Sequence, residues 1–359
     1  MHMADALLSP GIGVTMWLGA GSVMAWSSRR LRSQPDDRLV PLMGMLGAFV
    51  FAAQMINFSI PATGSSGHIG GGLLLAILLG PHAAFIVIAS VLTVQALFFA
   101  DGGLLALGAN LFNLGVLPCL VAYPLVYRPL AGTSPTPRRI TIAAVIAAVL
   151  GLQLGALAVV LQTVASGISN LPHGPFLGLM LPIHAAIGFV EGAATAALLL
   201  FLRRARPELL DAAPGRLARR PARRALGAVA TVTLLVGGVL SWFASTQPDG
   251  LEWSLAHAGE ADSTPRSEPA LHAQLAALQQ RTAWLPGYGW PSAQPAAASP
   301  PAREADAAVR SANGPAASAT APWPAVDAAT SLAGVLGGAL TLLLVVAIGL
   351  GLRRWRPRA

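Results

Sequence analysis

Long apolar runs separated by short basic clusters dominate the chain. About 20 apolar residues cross a bilayer, and runs of that kind cover residues 10–26, 39–58, 70–100, 105–127, 140–164 and 178–202. The run 70–100 is interrupted by Gly80-Pro81-His82. Three arginine groups punctuate the pattern: Arg29, Arg30 and Arg32, then Arg128, Arg138 and Arg139, then Arg203, Arg204 and Arg206. The positive-inside rule assigns all three to the cytoplasm. A single crossing by 70–100 would put the Arg128 group outside, so this run is predicted to cross twice, turning at Gly80-Pro81-His82. Its first arm is then only about ten residues, or ~15 Å of helix against a ~30 Å hydrocarbon core. An arm that short cannot reach the outer surface. The loop before it, Gly64-Ser65-Ser66-Gly67-His68-Ile69-Gly70, is therefore expected to dip into the membrane, where irregular backbone is tolerated only in a protein-lined cavity.

Beyond residue 205 the pattern changes. A basic stretch, 206–224, is expected to be a cytoplasmic linker, followed by an apolar run at 225–244 and a polar, Ala/Pro/Ser-rich stretch at about 245–327. A last apolar run, 328–352, ends in Arg353-Arg354-Trp355-Arg356. Basic flanks on both sides make the long loop external and the C-terminus cytoplasmic. Most of the loop is expected to be disordered. Exceptions are a helical piece at 269–282, where Leu271, Leu275 and Leu278 share a face, and the aromatic ends at 250–253 and 284–290. The predicted fold is an all-α integral membrane protein, a helical bundle of about seven spans with a C-terminal two-helix unit. Its domains are 1–205, the linker 206–224 and the two-helix component 225–359.

Composition agrees with the pattern. Of 359 residues, 54% are hydrophobic and 11% charged, against about 25% charged in soluble domains. All 23 positive side chains are arginines. Without a lysine the chain cannot furnish the phosphate-binding lysine of a P-loop, so ATP-driven work would need separate ATPase subunits. The arginines sit between spans, which reports orientation rather than nucleic-acid binding. A lone cysteine, Cys119, excludes an intrachain disulfide framework. Asp5 is the only charged side chain before Arg29, so the start lacks the basic segment of a signal peptide. An uncleaved first helix with its N-terminus outside and Met1 retained is expected.

That expectation matters because His2 follows Met1 directly. The Met1 amine, the deprotonated His2 amide and the His2 imidazole can close two fused chelate rings on one metal. Three nitrogens held in a plane suit a d8 or d9 ion such as Ni(II) or Cu(II), and His68 would supply a fourth. On that stretch alone, a polar residue on a frayed terminus is the better account of His2. The sunken loop gives His68 a reason to meet it.

Other polar residues lie in or near the spans. His184 and Glu191 share a face of the run 178–202, and could serve a transport path or a plain helix–helix contact. Gln54, Asn57, Gln95, Asp101, Asn110 and Asn113 could fix imidazole tautomers around a metal or bind helices together. His82 falls at the cytoplasmic turn, His173 on a short external loop, and His257 and His272 in the polar loop. No His-Glu-x-x-His and no Ser/His/Asp arrangement occurs, so no enzyme is indicated.

In this order along the chain, Met1-His2, Ala52-Ala53-Gln54-Met55-Ile56-Asn57-Phe58, Thr63 to His68 and Leu78-Leu79-Gly80-Pro81 form a recognisable series. It continues with Val94-Gln95-Ala96-Leu97-Phe98-Phe99-Ala100-Asp101-Gly102-Gly103, Leu107 to Asn113, and His184 to Glu191-Gly192. It resembles the substrate-specific component of nickel and cobalt energy-coupling-factor (ECF) transporters, the NikM/CbiM family. Pro248-Asp249-Gly250-Leu251-Glu252 and Leu285-Pro286-Gly287-Tyr288-Gly289-Trp290-Pro291 resemble the small PDGLE-type, NikN/CbiN-like two-helix component of the same systems, here fused. The resemblance implies metal ligation by Met1, His2 and His68, with Ni(II) as transported substrate. It also implies a transmembrane coupling protein and two ATPase subunits as partners, in a bacterial inner membrane. Ala4 and Ala6 stand where the family usually has proline and glycine. Cobalt uptake linked to cobalamin synthesis, or metal sensing without transport, are the alternative readings.

Overall fold

The computed structural model describes residues 1–33, 39–169, 171–205, 223–259, 270–291 and 323–354. Most of the linker expected at 206–224, and the stretches 260–269 and 292–322 of the polar loop, lie outside the described residues, and with them the disorder expected there.

After a short 3-10 turn at Asp5–Leu7 come α1 (Pro10–Ser33) and α2 (Leu39–Gln54). Two three-residue strands, β1 (Phe58–Ile60) and β2 (Ser65–Gly67), pair antiparallel, with Ser59 opposite Ser66. The loop expected to be irregular thus carries a minimal ladder, which satisfies backbone groups where water is scarce. Next are α3 (Gly72–Leu79), α4 (Pro81–Phe98), α5 (Leu107–Ala131), α6 (Pro137–Ser166) and α7 (His173–Ala205). The two-helix unit contributes α8 (Arg223–Gly238), α9 (Gly250–His257), α10 (Ala270–Thr282) and α11 (Ala328–Arg354).

The short arm has its expected form. Helix α3 has eight residues, and Gly80 takes φ 82, a conformation natural to glycine, to turn the chain. Pro81 then opens α4, where its missing N–H costs nothing. Five helices among the described residues are long and apolar enough to cross a membrane: α4, α5, α6, α7 and α11. Leu39–Gln54 and Leu226–Gly238 are shorter apolar helices. Helix α1, with 24 residues, is long enough but ends in Arg30 and Arg32 and falls outside those five.

Along α5 the backbone widens to a π-helix from Phe112 to Tyr127, a stretch containing Pro118 and Pro124, which have no N–H to donate. The two-helix unit docks on the bundle through α11, which packs on α2 and α4, and through α8, which packs on α2; α8 and α11 also pack on each other. In lipid, apolar surface alone gives no drive for helix association, so close backbone approach does. It is closest at Gly237 and Gly334, where a Cβ on Gly334 would overlap the Gly237 backbone.

Gly334→Leu should therefore wedge α8 from α11 and destabilise the protein by about 1–3 kcal/mol, the usual cost of overpacking. A lowered melting temperature in detergent, against an unchanged one for Gly227→Ala, where a Cβ meets nothing within 4 Å, checks this.

Candidate metal site

The first residues are folded inward rather than frayed. Met3 and Leu8 are fully buried and Met1 is 5% exposed. Asn110 grips the Met3 backbone in both directions, accepting from its N–H at 2.8 Å and donating to its carbonyl at 3.2 Å. The Gly103 N–H also donates to the Met3 carbonyl at 2.9 Å, and Asp5 accepts from the Ala106 N–H at 2.9 Å. These bonds replace water for a backbone that enters a buried site.

Met1 and His68 line one cavity, together with Gly70, His184, Asp249 and Gly250. The His2 and His68 rings stack with centroids 5.3 Å apart and planes 10° from parallel. The His68 Nδ1 lies 3.1 Å from the Ile69 carbonyl, an acceptor only, so the proton sits on Nδ1 and Nε2 is the free donor nitrogen. Burial, and after it the Met1 ammonium and His2, hold the His68 pKa down to about 4. Burial also lowers that of His2, although Asp101 pulls it the other way. Both imidazoles are thus neutral at neutral pH, the state a metal ligand needs.

Two carboxylates occupy the nitrogens that chelation would use. The Met1 ammonium donates to Asp249 Oδ2 at 2.9 Å. The His2 Nδ1, the ring nitrogen within chelate reach of its own amide, lies 3.2 Å from Asp101 Oδ1. Asp101 in turn accepts from the Tyr288 hydroxyl at 2.5 Å. The residues are gathered, yet their nitrogens do not point at a common centre, because the stacked rings present faces rather than edges. A metal bound through these nitrogens would require the His2 ring to turn away from Asp101 and Met1 to leave Asp249.

The Asp249 contact explains the Pro-Asp-Gly-Leu-Glu run. Asp249 caps α9: its Oδ1 accepts from the Leu251 and Glu252 N–H groups at 2.9 and 2.8 Å, and Glu252 reaches back to the Asp249 N–H. Its second oxygen is left for Met1. Burial alone would raise the Asp249 carboxyl, but the Met1 ammonium and the backbone N–H bonds hold it below the usual range. Gly250 lies against Ile183, His184 and Ile187, where a side chain would not fit. The Ser66 N–H donates to the Pro248 carbonyl at 2.8 Å, tying this run to the loop that carries His68.

The remaining candidate residues divide. Gln54 donates to the Gly70 carbonyl at 2.7 Å and accepts from Gln95 at 2.8 Å, while Gln95 neighbours His2, forming a polar chain between the two histidine segments. Glu191 accepts from the Gly70 and Gly71 N–H groups at 2.9 and 3.0 Å, fixing the backbone beside His68 at the start of α3. His184 lines the cavity itself. Asn57 stands apart: its carbonyl accepts from the Ser245 N–H at 2.8 Å, a tie to the two-helix unit. In the sequence Asp249 and Tyr288 appear only as parts of the two-helix motifs, with no role at the N-terminus. The Asp-x-x-Glu spacing signals a capping box, but nothing in it points to Met1. Among the described residues, no group of three or more His, Cys, Asp or Glu is arranged to hold a metal ion.

Residues 2–209 match the family described as cobalt uptake substrate-specific transmembrane region, and residues 223–354 match the PDGLE domain. The chain is 39% identical to a putative fused nickel transport protein NikMN of Archaeoglobus fulgidus, over 61% of this chain and 71% of that one. It is 37% identical to a putative metal transport protein of Haloquadratum walsbyi, over 58% of this chain and 93% of the other. A crystal structure of a transition metal transporter superposes with TM-score 0.51 at 29% identity, covering 58% of this chain and 95% of that one.

Asp249→Asn keeps a capping side chain but removes the charge facing Met1. Labelling of the Met1 amine by an acylating reagent, followed by mass spectrometry, should speed up several-fold in that variant. An unchanged rate would mean that the ion pair does not hold the terminus.

Proposed function

Because the chain belongs to the cobalt uptake substrate-specific transmembrane family and continues into a PDGLE domain, we propose that it captures Ni(II) through Met1, His2 and His68. It would do so as the substrate-binding subunit of an ATP-driven importer. The protein is a multi-pass membrane protein and a transition-metal transporter component of the nickel and cobalt class. The observation that carries the finer reading is the meeting of the inserted N-terminus with His68 in one buried cavity.

With Met1 as the free terminus, its amine, the His2 amide and the His2 Nδ1 supply three nitrogens and the His68 Nε2 the fourth. A low-spin d8 ion gains most from such a plane, which favours nickel, as does the name of the Archaeoglobus relative. Cobalt is the second reading, favoured by the description of the matching family. Asp101 and Asp249 hold the metal-free site by occupying two of the ligand groups, and the fused unit touches both carboxylates, through Tyr288 and through Asp249 itself. Gln54, Gln95 and Asn110 orient the ligand segments, and Glu191 holds the His68 loop. The metal-binding component would be residues 1–205 and the two-helix component 225–359, with the N-terminus outside and the C-terminus in the cytoplasm. ATP would be hydrolysed by separate subunits joined through a transmembrane coupling protein, since the chain has no lysine for a P-loop.

One residue added before Met1, or His2→Ala, should abolish the d–d absorption of planar nickel that the native chain develops on titration, together with nickel uptake. Intact binding in either variant sinks the reading. Loading takes one proton from the amine and one from the amide, so affinity should climb with pH, roughly hundredfold per unit while the amine is protonated. His68, already neutral, adds no third proton. Nickel titration in a pH series measures the slope, and a slope near zero would exclude an amide ligand.

A further inference from the structure

One imidazole in the cavity is not used by the four-nitrogen site. His184, on α7, is 1% exposed. Its Nδ1 lies 2.8 Å from the Met180 carbonyl. A carbonyl only accepts, so Nδ1 carries the hydrogen and the lone pair is on Nε2. That Nε2 is buried without a hydrogen-bond partner, as are the Nε2 atoms of His2 and His272, but of these three rings His184 is the one that lines the cavity with Met1 and His68. A histidine serving only as a helix contact would be expected to satisfy both nitrogens. An imidazole oriented by a backbone carbonyl through one nitrogen, with the other left open, is instead the arrangement of a metal ligand.

Its position fits a particular role. His184 borders the cavity that Met1 and His68 line, and the Met1 amine and Asp249 are its electrostatic neighbours. A second cavity shares Gly70, Leu114 and Leu152 with the first and reaches Glu191 and Pro118 of the π-helical stretch. Glu191 lies further along α7, toward the basic end at Arg203 and Arg204. His184 thus lines the capture cavity, and Glu191, seven residues further along the same helix, lines the second one.

We infer that His184 is the ligand that first receives the metal when it leaves the N-terminal site. This rests on the Met1–His2–His68 reading above. Square-planar d8 ions exchange ligands by attack from outside the plane, and a neutral nitrogen donor suits that attack. The His184 Nε2 lone pair forms a bond to nickel while the bonds to the His2 amide and the Met1 amine break. The amide and the amine each take a proton from water, leaving two hydroxide ions in solution, and no electron is transferred. His184 is bonded to the metal only during transfer, so the resting site does not require it.

The test uses the full-length protein loaded with Ni(II) alone. His184→Asn keeps an N–H donor near the position of Nδ1 but has nothing at Nε2; His184→Gln places a weakly ligating amide near Nε2. Both variants should bind one nickel with the native planar band and an unchanged melting temperature. Release into excess chelator, measured where the rate no longer depends on chelator concentration, should slow at least tenfold in both. Native release rates in His184→Asn would overturn the inference. So would loss of the planar band in folded His184→Asn or His184→Gln, which would make His184 a ligand of the resting site. Absence of the band in the native chain itself would instead refute the capture site.

Discussion

The ion pair between the Met1 ammonium and Asp249 is the contact on which the arrangement of the site depends. A charged amine cannot enter a buried pocket without a partner. The partner lies 248 positions away in sequence and 2.9 Å away in space. The same carboxylate starts helix α9, so the group that neutralises the terminus also anchors this part of the two-helix unit. A second link runs parallel to it, from Tyr288 through Asp101 to His2. The fused unit is therefore coupled to both residues of the terminus, through charges that a bound cation would displace.

Beneath this lies a constraint of length. An eight-residue helix is too short to span a bilayer, and a loop before such a helix needs protein partners for its backbone groups if it lies at depth. The partners are present. Glu191 takes the Gly70 and Gly71 N–H groups, Gln54 binds the Gly70 carbonyl, and Ser66 is tied to Pro248. Glu191 and His184 share a helix face but do different work: one fixes the loop backbone, and the other keeps a nitrogen free.

Much of the fold was legible before the structure. Hydropathy and arginine placement led to the short α3, to the turn at Gly80-Pro81, and to the helices that the structure forms at Pro137–Ser166, His173–Ala205 and Ala328–Arg354. The piece expected at 269–282 is a helix, Ala270–Thr282. The antiparallel pair at Phe58–Ile60 and Ser65–Gly67 was missed, because three-residue strands have too little alternation to register. The π-helical course of Phe112–Tyr127 was missed as well, since its apolar composition matches any buried helix.

By itself the sequence determined that the chain is a membrane bundle, that Met1 and His2 can chelate a metal, and that a short arm would sink His68 toward them. Those conclusions follow from periodicity, charge bias and covalent geometry, which act locally along the chain. Only the tertiary structure decided which groups occupy those nitrogens and which imidazole nitrogens are left without a partner. In the sequence Asp249 reads as a helix cap, while Asp101 and His184 are candidates whose partners the sequence does not name. Their roles come from pairings between distant segments, set by the packing of α7 and the two-helix unit around the folded-in terminus.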